Sequence, residues 1–526
     1  MKNSDQSAPD LKSMTWGQRE RYSWTYNIGK DIGGGIVATF CLLPEVMGFM
    51  LSIGVPPFLG LFTCVVLTVT LAITGGRPGV ITACAGATAT ICAGMIAKFC
   101  WGPEVIAQHT EYLFAAVLFA GIIQIILGIV KFGNLIKFIP DCVMHGFVNG
   151  LASLILISQI KMILREDATM DMTHLLIVLA AGIGLIVLFD KIKKAVKVGF
   201  IQYIPSPMIC VVAVSAYVWI VQGFGSLGGG QPGLMRIVDL GQVAFSGEYF
   251  FSVFRNFGNV FTAEGMGAII PVALSVAFIG LVETMLTSRV VSEKTETPEL
   301  TNLNRECRGQ GIGNIICAVL GTMPGCAMIA PSTANVNSGG KGRVSTLMTG
   351  IMMAVLLFGI SPVLSAIPLA ALIAVMLYVC FETYNWDSIV KCFKHPIIET
   401  VTMLLVVVIV LGTDNLAYGV GFGMVAWGVF MLFKFLMSTN KAIGLSFILF
   451  GISMAICWFG GVLAVSFLLS AIGVGLGSIA RNAEKTKYRI GTFAIVLNSC
   501  AFAWFVFMVI LNTHILPHAF PWFSLH

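Results

Sequence analysis

The chain has 526 residues, of which 57% are hydrophobic and only 11% charged, against about a quarter charged in a soluble domain, so a water-covered globule is excluded. A mean hydropathy of +0.91 and a succession of apolar runs near the length that crosses a bilayer point to lipid as the solvent. The formal net charge of +6 falls in short Lys/Arg clusters between those runs, as topology signals do, and no basic stripe with interleaved aromatics marks a nucleic-acid binder.

Residues 1–30 are polar and of mixed charge, without the apolar core and small-residue cleavage site of a signal peptide, and are expected to form a cytoplasmic N-terminal segment. Apolar windows bounded by charge or by Gly/Pro then predict spans near 33–51, 56–74, 79–97, 113–131, 142–161, 174–190, 207–223, 266–288 and 308–321. Further windows follow near 325–337, 344–360, 363–381, 397–412, 415–435, 443–459, 461–479 and 490–511. Two of these seventeen candidates are short for a span.

Alternating sides from an inside N-terminus places Lys131 and Lys137, the cluster Lys191, Lys193, Lys194 and Lys197, and the run Arg289 to Arg308 inside. Lys341 with Arg343, Lys391 with Lys394, Lys434 with Lys441, and Arg481 through Arg489 follow on the same side, where the Lys/Arg excess belongs. The Gly-rich segment 224–265, with only Arg236 and Arg255 against Asp239, Glu248 and Glu264, falls outside, as does the C-terminus. Fourteen cysteines lie scattered without C-x-x-C spacing and read as buried apolar thiols. His514 and His518 are one helical turn apart in the tail, a spacing that chance explains without a metal.

An internal repeat is visible. "LLPEVMGF" in the first span and the later "GGRPGVITACAGATA" are echoed by "GLVETMLTS" in the eighth span and "GTMPGCAMIAPSTAN". Each half pairs an intramembrane glutamate, Glu45 or Glu283, with a Pro-Gly step, Pro78-Gly79 or Pro324-Gly325, and small residues after it. Seven spans separate the halves, so the repeats are inverted, and broken segments at corresponding positions of inverted repeats point to a midplane binding site.

A helix that begins inside the bilayer leaves its first N–H groups unpartnered and carries about half a positive charge there, which makes an anion site without a basic side chain. Ala83, Cys84, Ala85 and Gly86, and Gly325, Cys326, Ala327 and Met328, are mostly small, so that a ligand could approach the backbone closely. On this reading Leu at position 83 or 327 blocks transport with the fold intact. The competing reading is tight helix packing, which small residues also mediate.

An ionised carboxylate at bilayer depth costs about 2.5–3.5 kcal/mol and is usually directed to a cavity or a partner. Glu45 follows Pro44, which removes a backbone donor beside it. Glu283 shares a helical face with Thr287, giving a carboxylate and a hydroxyl suited to Na⁺, or a carboxylate able to carry a proton. The plainer alternative leaves Glu283 at the membrane surface with the charges from Arg289 to Glu299. "GVGFG" at 419–423 follows no strand, and "NSGGKGR" at 337–343 lacks phosphate-loop spacing; neither carries chemistry.

These motifs resemble those of the sulfate-permease (SulP) family of anion transporters from about Asp31 to Lys434. "LLPEVMGFMLSIGVPPFLGLF" is similar to its opening signature, "IPDCVMHGFVNGLASLILISQI" to its fifth span, and "VETMLTSRVVSEKTETPELTNLNRECRGQGIGNIICAVLGTMPGCAMI" to spans 8 to 10, most like the bicarbonate-type bacterial branch. The resemblance implies an all-α polytopic fold. It is a seven-plus-seven inverted repeat with a core domain (spans 1–4 and 8–11) and a gate domain (spans 5–7 and 12–14), over residues 31–435. It implies an anion held between half-helices 3 and 10 near Glu45, with Glu283 and Thr287 where the sodium-coupled branch binds its cation through an Asp and a Thr. Two departures stand out. Pro331 occupies the place where many members carry an Arg, which weakens a preference for a divalent anion, and residues 436–526 read as three further spans where a STAS domain is usual.

The expected protein is therefore a multi-pass transporter of the cell membrane, a bacterial inner membrane, and not an enzyme. It carries a small anion of the bicarbonate, sulfate or dicarboxylate class by symport. It has no cofactor beyond Na⁺ or H⁺ as coupling ion; a metal site is left open, with Glu283 and Thr287 the place for Na⁺. Its partners are the anion and the lipid bilayer, and a homodimer is left open. The alternatives are a nucleobase proton symporter of the same architecture and an uncoupled anion channel.

Overall fold

The chain was analysed as a computed structural model, which describes residues 11, 13–102, 105–106, 109–133, 140–165, 172–195, 204–222, 260–359, 364, 367–390, 397–413 and 416–439. The predicted spans at 443–459, 461–479 and 490–511, the His514/His518 pair and nearly all of the 224–265 segment lie outside these residues. Among those described, helix dominates, and the protein is an all-α polytopic membrane protein. In chain order come α1 (Trp16–Thr25), α2 (Ile28–Ser52), α3 (Pro57–Thr74), β1 (Thr82–Ala83), and α4 (Gly86–Met95), which runs on as a π turn (Ile96–Cys100). A hairpin of β2 (Trp101–Gly102) and β3 (Val105–Ile106) leads to α5 (Thr110–Ile129), α6 (Asp141–Arg165), α7 (Met172–Ala195) and α8 (Ser206–Gln222). The second half holds α9 (Ala263–Thr295), α10 (Leu303–Val319), β4 (Cys326–Ala327), α11 (Ile329–Asn337), α12 (Arg343–Gly359), α13 (Leu369–Thr383), α14 (Trp386–Val390), α15 (Ile397–Thr413) and α16 (Leu416–Thr439).

Local chemistry sets these boundaries. Pro57 opens α3, where a missing N–H costs nothing. Asn302 caps α10 by accepting from the Arg305 N–H at 3.0 Å, and Thr262 does the same for α9 through Gly265. Helix α9 continues to Thr295, a turn or two beyond the predicted end at 288. Hydropathy stops where charge begins, but the backbone does not, and Arg289 pairs with Glu293 one turn on at 2.9 Å. By length and composition α2, α3, α5, α6, α7 and α9 are apolar enough to cross a membrane.

The helices pack in two groups. Helices α2, α3, α4, α5, α9, α10, α11 and α12 contact one another, and α6, α7, α8, α13 and α15 form a second set that meets the first mainly through α2 and α4. Helices α5 and α10 cross at Gly121 and Gly311, where a Cβ on Gly121 would lie 2.7 Å from the Gly311 carbonyl oxygen, the close approach that glycine permits between membrane helices. Beneath the first group, Glu20 of α1 accepts from Arg305 at 2.6 Å and from Arg343 at 3.1 Å, and Asp31 accepts from the Lys341 and Gly342 N–H groups at 2.9 and 3.0 Å. The glycine-rich turn 337–343 is thus a structural joint between α11 and α12. Residues 423–526 separate as a second compact unit, of which only the end of α16 is described.

Candidate functional site

Both chain breaks predicted from the Pro-Gly steps become extended segments, and the two segments pair. Strands β1 and β4 run antiparallel with Thr82 opposite Ala327 and Ala83 opposite Cys326. The half-helices start later than the small-residue segments suggest: Ala85 is the N-cap of α4 and Met328 the N-cap of α11. Residues 83–85 and 325–327 therefore lead into the helices and do not form their first turns.

The second break is held by amides that the sequence reading passed over. Asn314 clamps Gly325 on both sides, accepting its N–H at 3.1 Å and donating to its carbonyl at 3.3 Å. Gln310 donates to the same carbonyl at 2.5 Å, and Asn314 also donates to Gln124 of α5 at 2.9 Å. Gln310 and Asn314 are intramembrane amides at i and i+4, a spacing that puts both on one helix face; that was the available signal. Gly325 has no room for a side chain, since a Cβ there would collide with the Ala83 carbonyl oxygen and Leu67 Cδ1.

The glutamates sit at the crossing. Glu283 is 7% and Glu45 1% exposed, so the surface reading of Glu283 does not hold. The Cys326 thiol donates to Glu283 Oε2 at 2.9 Å. One turn on, the Thr287 hydroxyl donates to the Ala327 carbonyl at 3.2 Å, and the intervening Thr284 hydroxyl accepts the Ala327 N–H at 3.1 Å. Glu45 Oε1 has the Cys41 thiol at 3.8 Å, while its Oε2 is buried without a hydrogen-bond partner among the described residues.

A cavity of about 70 Å³ opens here. By that measure a water needs about 10–15 Å³, so there is room for a few waters or one small ion. One wall comes from Glu45 and Phe49 of α2, Gly86 of α4, Glu283 and Leu286 of α9, and Met328, Ile329 and Ala330 at the start of α11. The other comes from Phe147, Val148, Leu151 and Ile155 of α6 with Val379 and Thr383 of α13. Among the described residues lining it there is no Lys or Arg. Of the predicted anion-site residues, Glu45, Gly86 and Met328 line the cavity; Ala83, Cys84, Ala85, Gly325, Cys326 and Ala327 do not. Of the predicted cation pair, Glu283 lines it and Thr287 stands behind it. The N-terminal turns of both half-helices begin at this wall, so N–H groups that no helical carbonyl can take are directed there. Among the described residues no group of three or more His, Cys, Asp or Glu side chains is placed to hold a metal ion.

The model of the sulfate permease family matches residues 28–406. The chain belongs to that family. A Bacillus subtilis (strain 168) relative, YbaR, whose name assigns it provisionally to sulfate transport, is 35% identical over 415 residues, 79% of each chain. The bicarbonate transporter BicA of Picosynechococcus is 25% identical over 75% of this chain and 69% of its own. Among solved structures, the transmembrane domain of a cyanobacterial BicA superposes with a TM-score of 0.59 at 21% identity, over 76% of this chain and 97% of that one. The murine solute carrier 26 member A9 anion transporter in its inward-facing state gives 0.57 at 16% identity, over 78% and 69%. Two-thirds or more of each of these proteins is thus shared, and the fold is common to them. The family is one of membrane anion transporters that includes sulfate and bicarbonate carriers.

Proposed function

We propose that the chain is a secondary active transporter of a small anion of the bicarbonate, sulfate or dicarboxylate class, driven by symport of H⁺ or Na⁺. The observation that carries this reading is the composition of the central cavity: two half-helix N-termini, two buried carboxylates and no fixed cation among the described lining residues. Backbone dipoles attract an anion there, yet Glu45 and Glu283 repel it unless a mobile positive partner enters as well. Symport supplies that partner. Glu283 is the group we assign to the coupling ion, with Thr287 holding the backbone behind it, and Pro331 at the third position of α11 leaves Ile329 and Ala330 as its first-turn donors.

In this reading the α2–α5 and α9–α12 group is the core that carries the ligand, and the α6–α8, α13 and α15 group is the gate it moves against. The Lys/Arg distribution supports a cytoplasmic N-terminus, and the bacterial relatives support an inner membrane. Uptake of labelled bicarbonate, sulfate, fumarate and uracil into proteoliposomes, with imposed Na⁺ or pH gradients, is the test. Gradient-driven accumulation of an anion supports the proposal. Anion flux indifferent to both gradients would make the protein a channel, and uptake of uracil alone would make it a nucleobase carrier.

A further inference from the structure

Beside the wall of the central cavity that α6 and α13 form together, α6 and the turn between α13 and α14 are joined by a hydrogen-bonded knot. Asn385 stands at its centre. Its Oδ1 accepts the Ser388 N–H at 3.0 Å, capping α14, and its own N–H donates to Asn149 Oδ1 at 2.9 Å. Asn149 Nδ2 donates in turn to Ser388 Oγ at 3.0 Å. Because the cap fixes which end of the Asn385 amide is oxygen, its Nδ2 is the end that faces His145 Nδ1, at 2.8 Å. An amide nitrogen only donates, so His145 Nδ1 must accept, and the ring must be neutral.

We propose that His145 is a proton-operated latch on the walls of the central cavity. A proton taken at Nδ1 turns the acceptor into a donor facing a donor. The Asn385 contact is then lost, because flipping the Asn385 amide to recover it would break the cap on Ser388. The imidazolium has somewhere to turn: a cavity of about 140 Å³ beside it is lined by Asp141, Cys142, Ser388, Glu399 and Met403. The titratable groups around the latch are Asp141 and Cys142 on α6, Glu399 on α15, Asp387 on α14, Tyr384 after α13, whose hydroxyl meets Ser153 at 2.8 Å, and Glu45 of α2 across the central cavity. The described residues lining the adjoining cavity include no Lys or Arg. Of the two ties on Asn385 from α6, Asn149 is indifferent to pH and His145 is not. Phe147 and Val148 follow His145 closely, and Thr383 precedes Asn385 by two residues; all three line the central cavity. Opening the latch as the pH falls therefore loosens the wall that faces the central cavity.

The test needs no knowledge of the substrate. Hydrogen exchange of amides 384–390 is followed in the full chain in lipid nanodiscs at pH 8 and 5.5, corrected for the intrinsic rate. Loss of one hydrogen bond is expected to speed wild-type exchange about fivefold at the lower pH. His145→Gln offers an untitratable acceptor and should show slow exchange at both pH values. Asn385→Asp keeps one oxygen on the Ser388 N–H and offers the other to the imidazolium, so protection should be greater at pH 5.5. Wild-type exchange unchanged between the two pH values overturns the proposal, and so does a His145→Gln protein that keeps the wild-type pH response.

Discussion

The Cys326 thiol lies 2.9 Å from Glu283 Oε2, so the extended segment entering α11 and the carboxylate lining the central cavity form one hydrogen-bonded unit. A change of charge on Glu283 is felt directly by the backbone that leads into the half-helix. Glu283→Gln is therefore expected to cut gradient-driven uptake by about tenfold or more, the size of a typical coupling free energy. With H⁺ as partner the pH dependence of uptake flattens and Thr287→Ala has a small effect; with Na⁺ as partner, Na⁺ stimulation disappears and Thr287→Ala raises the Na⁺ requirement. Uptake by Glu283→Gln with wild-type dependence on both ions removes Glu283 from the coupling role.

Gly86 is where bulk separates transport from folding. A Cβ there would lie 2.7 Å from the Phe49 ring and 3.3 Å from Ile155 Cδ1, both side-chain atoms able to shift, and it would intrude on the cavity. Gly86→Ala should raise the KM for the anion by about tenfold while thermal unfolding in detergent changes little. An unaltered KM would place the ligand elsewhere.

Gly325 behaves oppositely. A methyl group there meets the Ala83 backbone, which is fixed by the β1–β4 pairing and cannot yield, so Gly325→Ala should cost about 1–3 kcal/mol of stability and lower the Tm. Ala83 and Ala327 are also fully buried in this crossing. Leu at either position is thus expected to act through the fold, not by blocking an intact site as the sequence alone suggests. Melting curves matching wild type for Gly325→Ala would contradict the crossing.

Glu20 straps α1 to the first helix group. Partial burial alone would raise its pKa, but the hydrogen bonds and charges of Arg305 and Arg343 outweigh that and hold the carboxyl below its usual value. The folded value lies below the unfolded one, so the strap's contribution is present above about pH 4.3 and is lost as pH falls through the folded value. At neutral pH Glu20→Gln should free α1 and speed tryptic cleavage after Arg19 and Arg21 several-fold. Cleavage at the wild-type rate would show that α1 is held by other contacts.

Composition and spacing were enough for much of this protein. Apolar runs of bilayer length can only be helices, since lipid offers no partner for an open backbone, and the fourteen predicted windows within the described residues fall on α2 to α13, α15 and α16, whereas the short α14 lies in none of them. A carboxylate in such a run must face a cavity or a partner, and both Glu45 and Glu283 line one. The repeat was legible too, although the Pro-Gly steps are not strictly equivalent: Pro78 lies five residues before Ala83 and Pro324 three before Ala327, positions related by the strand pairing. Gly79 takes a left-handed φ of 79°, whereas Gly325 is needed for close approach.

Only the tertiary structure decided which small residues touch the cavity. Seen along the chain, Ala83, Gly86, Ala327 and Met328 share the same kind of place, just after a Pro-Gly step. Once β1 and β4 pair between residues 243 and 245 positions apart in the chain, Ala83 and Ala327 are sealed between backbones while Gly86 and Met328 are left facing the opening. The cavity's other wall is mostly apolar, with Phe147, Val148, Leu151, Ile155 and Val379 beside Thr383, and an apolar side chain carries no mark of whether it meets lipid, another helix or a ligand. That distinction is set by which helices pack together, a property of long-range contacts that no local pattern encodes.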